Sequence, residues 1–389
     1  MKRISLSVCL FLGVLYFFFL FGITAPEKSF SESENRFLAG KPKFHLNGLL
    51  DGSFGTEYEA YLSDQFPARD RFVAARTNME RLLFTTDVND VYFGKEGYYI
   101  EKFDSEDLKT DQLAKNISYL AKAVELMAER VGEERVKIMM VPSASEILTD
   151  KLPAFASPAD QSGVVEQIKN MLKAPSMLLP VEQKLLEHRT EDIYYKTDHH
   201  WTSLGAYYAY CLYSGAVGFT PWSEHSFVKE IVSEDFLGTT ESKVRVGMQP
   251  DQITLYMPGT PRKYKVYYDG LPKAQDTLYN LKALEGKDKY AVFLDGNHGW
   301  TRIVNETLKN SETAAMDNQE RKLLIVKDSY AHSFAPFAAN HFGEVHMVDL
   351  RYFNMNLSAF MDAQGITDVL ILYQIPGFAK EVNIFKMGK

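Results

Sequence analysis

Residues 322–330 read KLLIVKDSY. Four consecutive apolar residues, Leu323 to Val326, followed at once by a Lys-Asp-Ser turn, describe a strand buried on both faces that hands over to a helix. The helix is expected over 330–340. Downstream the pattern repeats: a strand over 345–350, a helix over 357–364 and the strand DVLILY at 368–373. Upstream, a helix is expected from Ser105 as N-cap to Gly132 as stop, with Leu113, Ile117, Leu120, Val124, Met127 and Val131 on one face. RVKIMMV at 135–141 follows as another buried strand. Buried strands alternating with helices predict an α/β fold, a parallel sheet sandwiched by helices.

Shorter signals fill the gaps. Pro67 suits a first helical turn, and Phe72, Ala75, Met79, Leu82 and Leu83 make one apolar helix face. Residues 91–100 read as a hairpin turning at GKEG. Helices are expected over 163–173 and 202–214, with a short strand at 193–195 between them. Residues 226–310 hold short alternating runs (DQITLYM, RKYKVYY, TRIVNET) and read as a β-rich insertion. The expected organisation is an apolar segment over 1–25, a polar linker over 26–45 and one α/β domain over 46–389.

The chain has 389 residues, 46% apolar and 24% charged, which excludes a disordered protein. Its 43 basic and 51 acidic residues leave a net charge of −8, so no electrostatic footprint for nucleic acid exists. Two cysteines, Cys9 and Cys211, support neither a zinc cluster nor a disulfide framework. Residues 4–25 carry no charge and follow Lys2 and Arg3. Twenty-two residues at about 1.5 Å each reach about 33 Å, enough for a bilayer core. The run exceeds the apolar core of an ordinary signal peptide, and Pro26 makes a poor cleavage junction. The expectation is an uncleaved, single-pass transmembrane helix in the cell membrane, its basic end inside and the globular domain extracytoplasmic.

Open α/β sheets place their chemistry beyond the carboxyl ends of the strands. Two such ends carry reactive groups here: Ser329 after KLLIVKD, and Asp198, His199, His200 and Trp201 in TDHHW at 197–201. A serine needs a base, and a histidine base needs a carboxylate to fix its tautomer. Asp198 can reach Nδ1 of His200 two residues on, leaving Nε2 for Ser329. Other readings stand beside this one. Ser329 can simply cap the next helix. Asp198, His199, His200 and His298 can hold zinc or manganese. His332, at i+3 from Ser329, is a rival base.

TDHHWTSLGAYYAY together with LLIVKDSYAHSFAPF resembles the DHHW protein family, which is similar to the alginate O-acetyltransferase type of SGNH hydrolase-like domain. ENRFLAGKPKF, LSDQFPARD, VYFGKEGYYI, FLGTTESK, LDGNHG, VDLRYFN and ITDVLILYQIP extend the likeness over about residues 34–378. The resemblance implies an SGNH-like sheet in permuted order. It assigns Asp198 as acid, His200 as base and Ser329 as nucleophile, with His199 at the variable position. Lys327 stands where glycine is usual before Asp-Ser. Asn297, in DGNH, can offer a side-chain amide to an oxyanion or simply form a turn. Arg351, after VDL, can bind an anionic sugar or a carbonyl oxygen. Gln374, directly after DVLILY, also sits at a carboxyl edge of the sheet. Tyr330 and Trp201 can stack on sugar rings, or Trp201 can pack behind His200.

The function so expected is that of a membrane-anchored O-acetyltransferase acting on a cell-surface polysaccharide through an acyl-serine, without metal or cofactor. The resemblance further implies a membrane-bound O-acyltransferase partner as acetyl donor. A polysaccharide or peptidoglycan O-acetylesterase uses the same residues with water as acceptor. A non-catalytic carbohydrate-binding scaffold is the alternative of a different class.

Overall fold

Strand formation follows the apolar runs. In the computed structural model, which describes residues 5–24, 26–31, 36–83, 85–310 and 320–388, six strands build one sheet. They are β1 (Val136–Val141), β2 (Tyr264–Tyr268), β3 (Trp300–Asn305), β4 (Lys322–Lys327), β5 (Glu344–Val348) and β6 (Asp368–Gln374). Their order across the sheet is β1-β6-β4-β5-β3-β2. β1, β6, β4 and β5 run parallel, and β3 is antiparallel to both of its neighbours. β4 is central, which is why Leu323, Leu324, Ile325 and Val326 are all fully buried. Burying each such side chain contributes about 1.5–3 kcal/mol.

The period of two divides these residues between two cores. Leu323, Ile325, Leu370 and Leu372 face α2 (Ser203–Ala216) and α3 (Ala331–Ala338) on one side. Leu324, Val326, Val369 and Ile371 face α1 (Asp111–Val131) and α4 (Leu357–Gln364) on the other. The expected doubly covered sheet therefore forms.

Differences from the sequence reading are local. α1 starts at Asp111, not after Ser105, because the Thr110 side chain accepts from the Leu113 N–H at 3.1 Å and caps it there. Gly132 ends it, as expected, with φ of 94°. Residues 193–195 make no regular strand; Tyr194 pairs with Trp201 in an isolated bridge. Within the stretch expected to be β-rich, Phe227–Phe236 and Asp251–Pro258 form an antiparallel hairpin. β2 and β3 instead join the main sheet at its edge, where alternate burial of Tyr264, Val266 and Tyr268 fits a half-covered strand.

The chain divides into two compact units, Met1–Thr85 with Ser242–Gly247, and Thr86–Glu241 with Met248–Lys389. The helices Leu46–Asp51, Ser53–Asp64 and Arg69–Leu82, expected to open the α/β domain, fall in the first unit. Phe72, Met79, Leu82 and Leu83, expected to pack as an apolar face, are exposed there. The apolar N-terminal run is helical over Leu6–Thr24; residues 1–4 and 25 of it lie outside the described residues. At 1.5 Å per residue the described helix measures about 28 Å, short of the expected span. Among the described residues no helix is long and apolar enough to cross a membrane.

Candidate active site

The TDHHW loop is built by its neighbours. The Asp251 carboxylate, at the start of the second hairpin strand, accepts from the Lys196 N–H at 2.9 Å, the Thr197 N–H at 2.7 Å and the Thr197 hydroxyl at 2.6 Å. Thr197 Oγ1 in turn accepts from the Gly238 N–H at 3.1 Å. Helix α2 begins directly after the loop, with Thr202 capping the Gly205 N–H. Gly205 packs so near that a Cβ there would lie 2.4 Å from the Ile193 carbonyl oxygen.

This frame brings Asp198, His200 and Ser329 into one hydrogen-bonded line. His200 Nδ1 lies 2.6 Å from Asp198 Oδ1, and its Nε2 lies 2.7 Å from Ser329 Oγ. Asp198 Oδ1 also accepts from the His200 N–H at 3.0 Å, and Oδ2 accepts from the N–H and hydroxyl of Thr239 at 2.8 and 3.1 Å. An ionised carboxylate accepts only, so Nδ1 carries the imidazole proton and Nε2 offers a lone pair to the serine.

Electrostatics agree with that tautomer. Burial alone would push the Asp198 carboxyl up. The His200 and His199 imidazoles and the Thr239 N–H reverse this and hold it far below the usual carboxylate range. Burial, helped by His199, pushes His200 down to about 4 despite the Asp198 carboxylate. His200 is therefore a neutral base at ordinary pH.

Sequence reasoning missed Tyr290. Its ring stacks on His200 at 3.8 Å and 9°, and its hydroxyl lies 3.1 Å from Ser333 Oγ and 3.4 Å from the Ser329 carbonyl. A short 3₁₀ turn over Lys289–Val292, inside the stretch expected to be β-rich, carries it. No spacing signal marks such a residue.

Ser329 follows β4 in a turn closed by Asp328. Asp328 Oδ1 accepts from the Tyr330 N–H at 2.9 Å, and Oδ2 from the Gln374 N–H at 2.7 Å. Loss of hydration pushes its carboxyl up to about 6, against those two N–H donors. Gln374 also donates from Nε2 to the Tyr330 hydroxyl at 3.0 Å, and that hydroxyl bonds the His199 carbonyl. Tyr330 and Trp201 are almost wholly buried. Trp201 takes the packing role expected for it behind His200, its Nε1 donating to Tyr330 O and Ser333 Oγ, both at 3.0 Å; Tyr330, expected to stack on sugar, is instead buried in the same wall. Gln374 is buried with them.

Arg351 and Asn297 come together. Asp349 grips Arg351 at Nε (2.9 Å) and at its second terminal nitrogen (2.6 Å), and that nitrogen also donates to Asn297 Oδ1 at 3.2 Å. His332 is not on Ser329 as a base. Its Nε2 lies 2.7 Å from Lys327 Nζ. His298 is engaged with Asp269 at 3.1 Å.

Asp198, His199 and His200 offer ligand atoms within 4.8 Å of one another, so a divalent cation has a candidate donor set. Its cost is plain: His200 uses both ring nitrogens in hydrogen bonds, and a metal on either one would displace Asp198 or Ser329. His199 Nδ1 lies 2.6 Å from Thr239 Oγ1.

The same fold occurs in solved structures. A DHHW family protein from Eubacterium siraeum DSM 15702 aligns with a TM-score of 0.61 and 25% identity, over 77% of this chain and 95% of that one. Bacillus cereus PatB1 with a sulfonyl adduct aligns at 0.59 and 18% identity, over 77% and 100%. The O-acetyltransferase domain of Pseudomonas putida AlgJ is more distant, at 0.43 and 12% identity over 75% and 92%. A comparison with curated protein sequences finds no match. The TDHHW loop that carries Asp198 and His200 lies within residues 112–348, the part that matches the family described as DHHW protein, and by that match over more than half its length the chain belongs to this family.

Proposed function

We propose that the chain is an O-acetyltransferase acting on a cell-surface polysaccharide, with Ser329 as nucleophile, His200 as base and Asp198 as the carboxylate that orients it. The observation that carries this reading is the line Asp198–His200–Ser329, with contacts of 2.6 and 2.7 Å. Ser329 Oγ attacks the acyl carbonyl as its proton passes to His200 Nε2. The imidazolium, opposite ionised Asp198, returns that proton to the leaving group and an acyl-serine remains. A sugar hydroxyl then loses its proton to His200 and takes the acyl group, and the proton goes back to Ser329 Oγ.

The reading places the domain outside the membrane. The uncharged N-terminal run serves as the anchor, and a membrane-bound O-acyltransferase supplies the acetyl group. Leu10, Phe11, Leu15, Tyr16 and Phe19 are exposed around the N-terminal helix, a surface suited to lipid.

The test is the full chain in detergent with p-nitrophenyl acetate, with and without sugar oligomers. The expected results are an acetyl adduct of about 42 Da on Ser329, acetylated sugar as product, and loss of both in Ser329→Ala. A sulfonyl fluoride, which would leave on Ser329 the kind of adduct seen in PatB1, should block the reaction. Acetate as the sole product would make the chain an O-acetylesterase. A serine inert to both reagents would leave a carbohydrate-binding scaffold.

A further inference from the structure

Lys327, the last residue of β4, is almost wholly buried. Its Nζ lies 2.7 Å from His332 Nε2 and 3.2 Å from Asp349 Oδ2. Asp349 is shared with Arg351, so one carboxylate faces two cations. An ammonium can only donate, so Nε2 of His332 accepts and the ring proton sits on Nδ1. Burial and the Lys327 charge hold His332 well below its ordinary pKa, which keeps the ring neutral.

Nδ1 makes no hydrogen bond with any described residue. It is also not among the fully shielded polar atoms that lack a partner. A buried residue therefore keeps one ring N–H with no partner among the described residues. His332 belongs to the turn that carries the serine: it stands three residues after Ser329, and its backbone N–H donates to the Ser329 carbonyl at 3.1 Å. Tyr290 links them: its ring lies 6.3 Å from the His332 ring and 3.8 Å from the His200 ring, and its hydroxyl reaches the Ser329 carbonyl.

We infer that His332 is the oxyanion donor of this site, and that Lys327 and Asp349 are the residues that position it. The inference rests on the reading of Ser329 as an acyl-accepting nucleophile. As the bond from Ser329 Oγ to the acyl carbon forms, the carbonyl π pair moves to oxygen and the serine proton moves to His200. The new oxyanion accepts from His332 Nδ1–H. Collapse re-forms the carbonyl and expels the leaving group, which takes the proton from His200; His332 keeps its own proton throughout. A neutral imidazole polarised by a fixed ammonium is a suitable donor, because no charge must be reorganised when the oxyanion appears.

The experiment measures acylation of the full chain by p-nitrophenyl acetate in wild type, His332→Ala, His332→Gln and Lys327→Met, with thermal unfolding of each. His332→Ala should lower kcat about 10²–10³-fold with KM changed less than about threefold. His332→Gln, which restores an N–H, should recover about tenfold of that loss. Lys327→Met should lower kcat about tenfold by releasing the tautomer. Acylation in both His332 variants within about threefold of wild type would overturn the inference and leave the Ser329 reading intact. So would equal losses in the two that simply track lowered unfolding temperatures. Absence of Ser329-dependent acylation in wild type would overturn both.

Discussion

Gly238 lies so close to Asp198 that a Cβ added to it would sit 2.2 Å from the Asp198 Cβ and 2.4 Å from Oδ2. The glycine is there for the carboxylate: only a bare Cα lets the chain at Thr239 approach and donate its N–H to Oδ2. Gly238→Ala should therefore push Asp198 out of line with His200. The expected cost is about 1–3 kcal/mol in stability, from overpacking. Misplacement of the acid should cost about 10²-fold in kcat/KM. Thermal unfolding and ester turnover of the purified variant check both, and near-native turnover would show that Asp198 need not be held there.

The pH profile follows from His200. Burial pushes its pKa down to about 4. Protonation removes the lone pair that accepts from Ser329, so activity is lost as pH falls through this value and is fully present above it. The rate should be flat over about pH 6–8 and fall only below about pH 5. Asp198→Asn removes the partner that favours the imidazolium, so its limb should move further to acid while kcat drops about 10⁴-fold through the wrong tautomer. A wild-type limb near neutrality would mean that the carboxylate outweighs burial.

The α/β alternation was legible because β4, β5, β6 and β1 are buried on both faces and announce it as unbroken apolar runs. Asp198, His200 and Ser329 were legible because they lie in two short motifs, one directly after a strand and the other directly before a helix. What could not be read is how the site is held. Asp251 reaches back 54 residues to Thr197, and Tyr290 lies 90 residues beyond His200 on a short turn. Such contacts depend on tertiary approach and leave no period in the chain. Tyr330 was misjudged for the same reason, whereas Trp201 packs behind His200 as one of its two readings had it. Aromatics beside a nucleophile look like a sugar platform until burial shows that their polar tips bind Gln374, Ser333 and the His199 carbonyl. Thr110 displaced Ser105 as helix cap because both satisfy the same local rule.

The N-terminal run offers a prediction about place. Full-length chain should stay in the membrane fraction through an alkaline wash, and N-terminal mass analysis should find residues 4–25 retained. Gly13 sits near the middle of the helix with open space around its Cα. Gly13→Arg would place a charge there at a cost of about 2.5–3.5 kcal/mol if lipid surrounds it, and should move chain into the soluble fraction. A mature chain beginning near residue 25, or an unchanged distribution of Gly13→Arg, would sink the anchor.

The adjacent histidines should prove unequal, and a metal should inhibit. His200 is buried between Asp198 and Ser329, whereas His199 is partly exposed and turned to Thr239. His200→Ala should cost on the order of 10³-fold or more in kcat, as loss of a base does, and His199→Ala far less. EDTA should leave acyl transfer unchanged. Added zinc should bind the Asp198–His199–His200 donor set at the expense of the His200 hydrogen bonds, slow the reaction, and be reversed by EDTA. His199→Ala should weaken that inhibition, because it removes one ligand without touching the base. Titration of activity against zinc, with metal content measured in parallel, checks this. Stoichiometric bound zinc whose removal abolishes turnover would move both histidines to ligand roles and displace Ser329 from the chemistry.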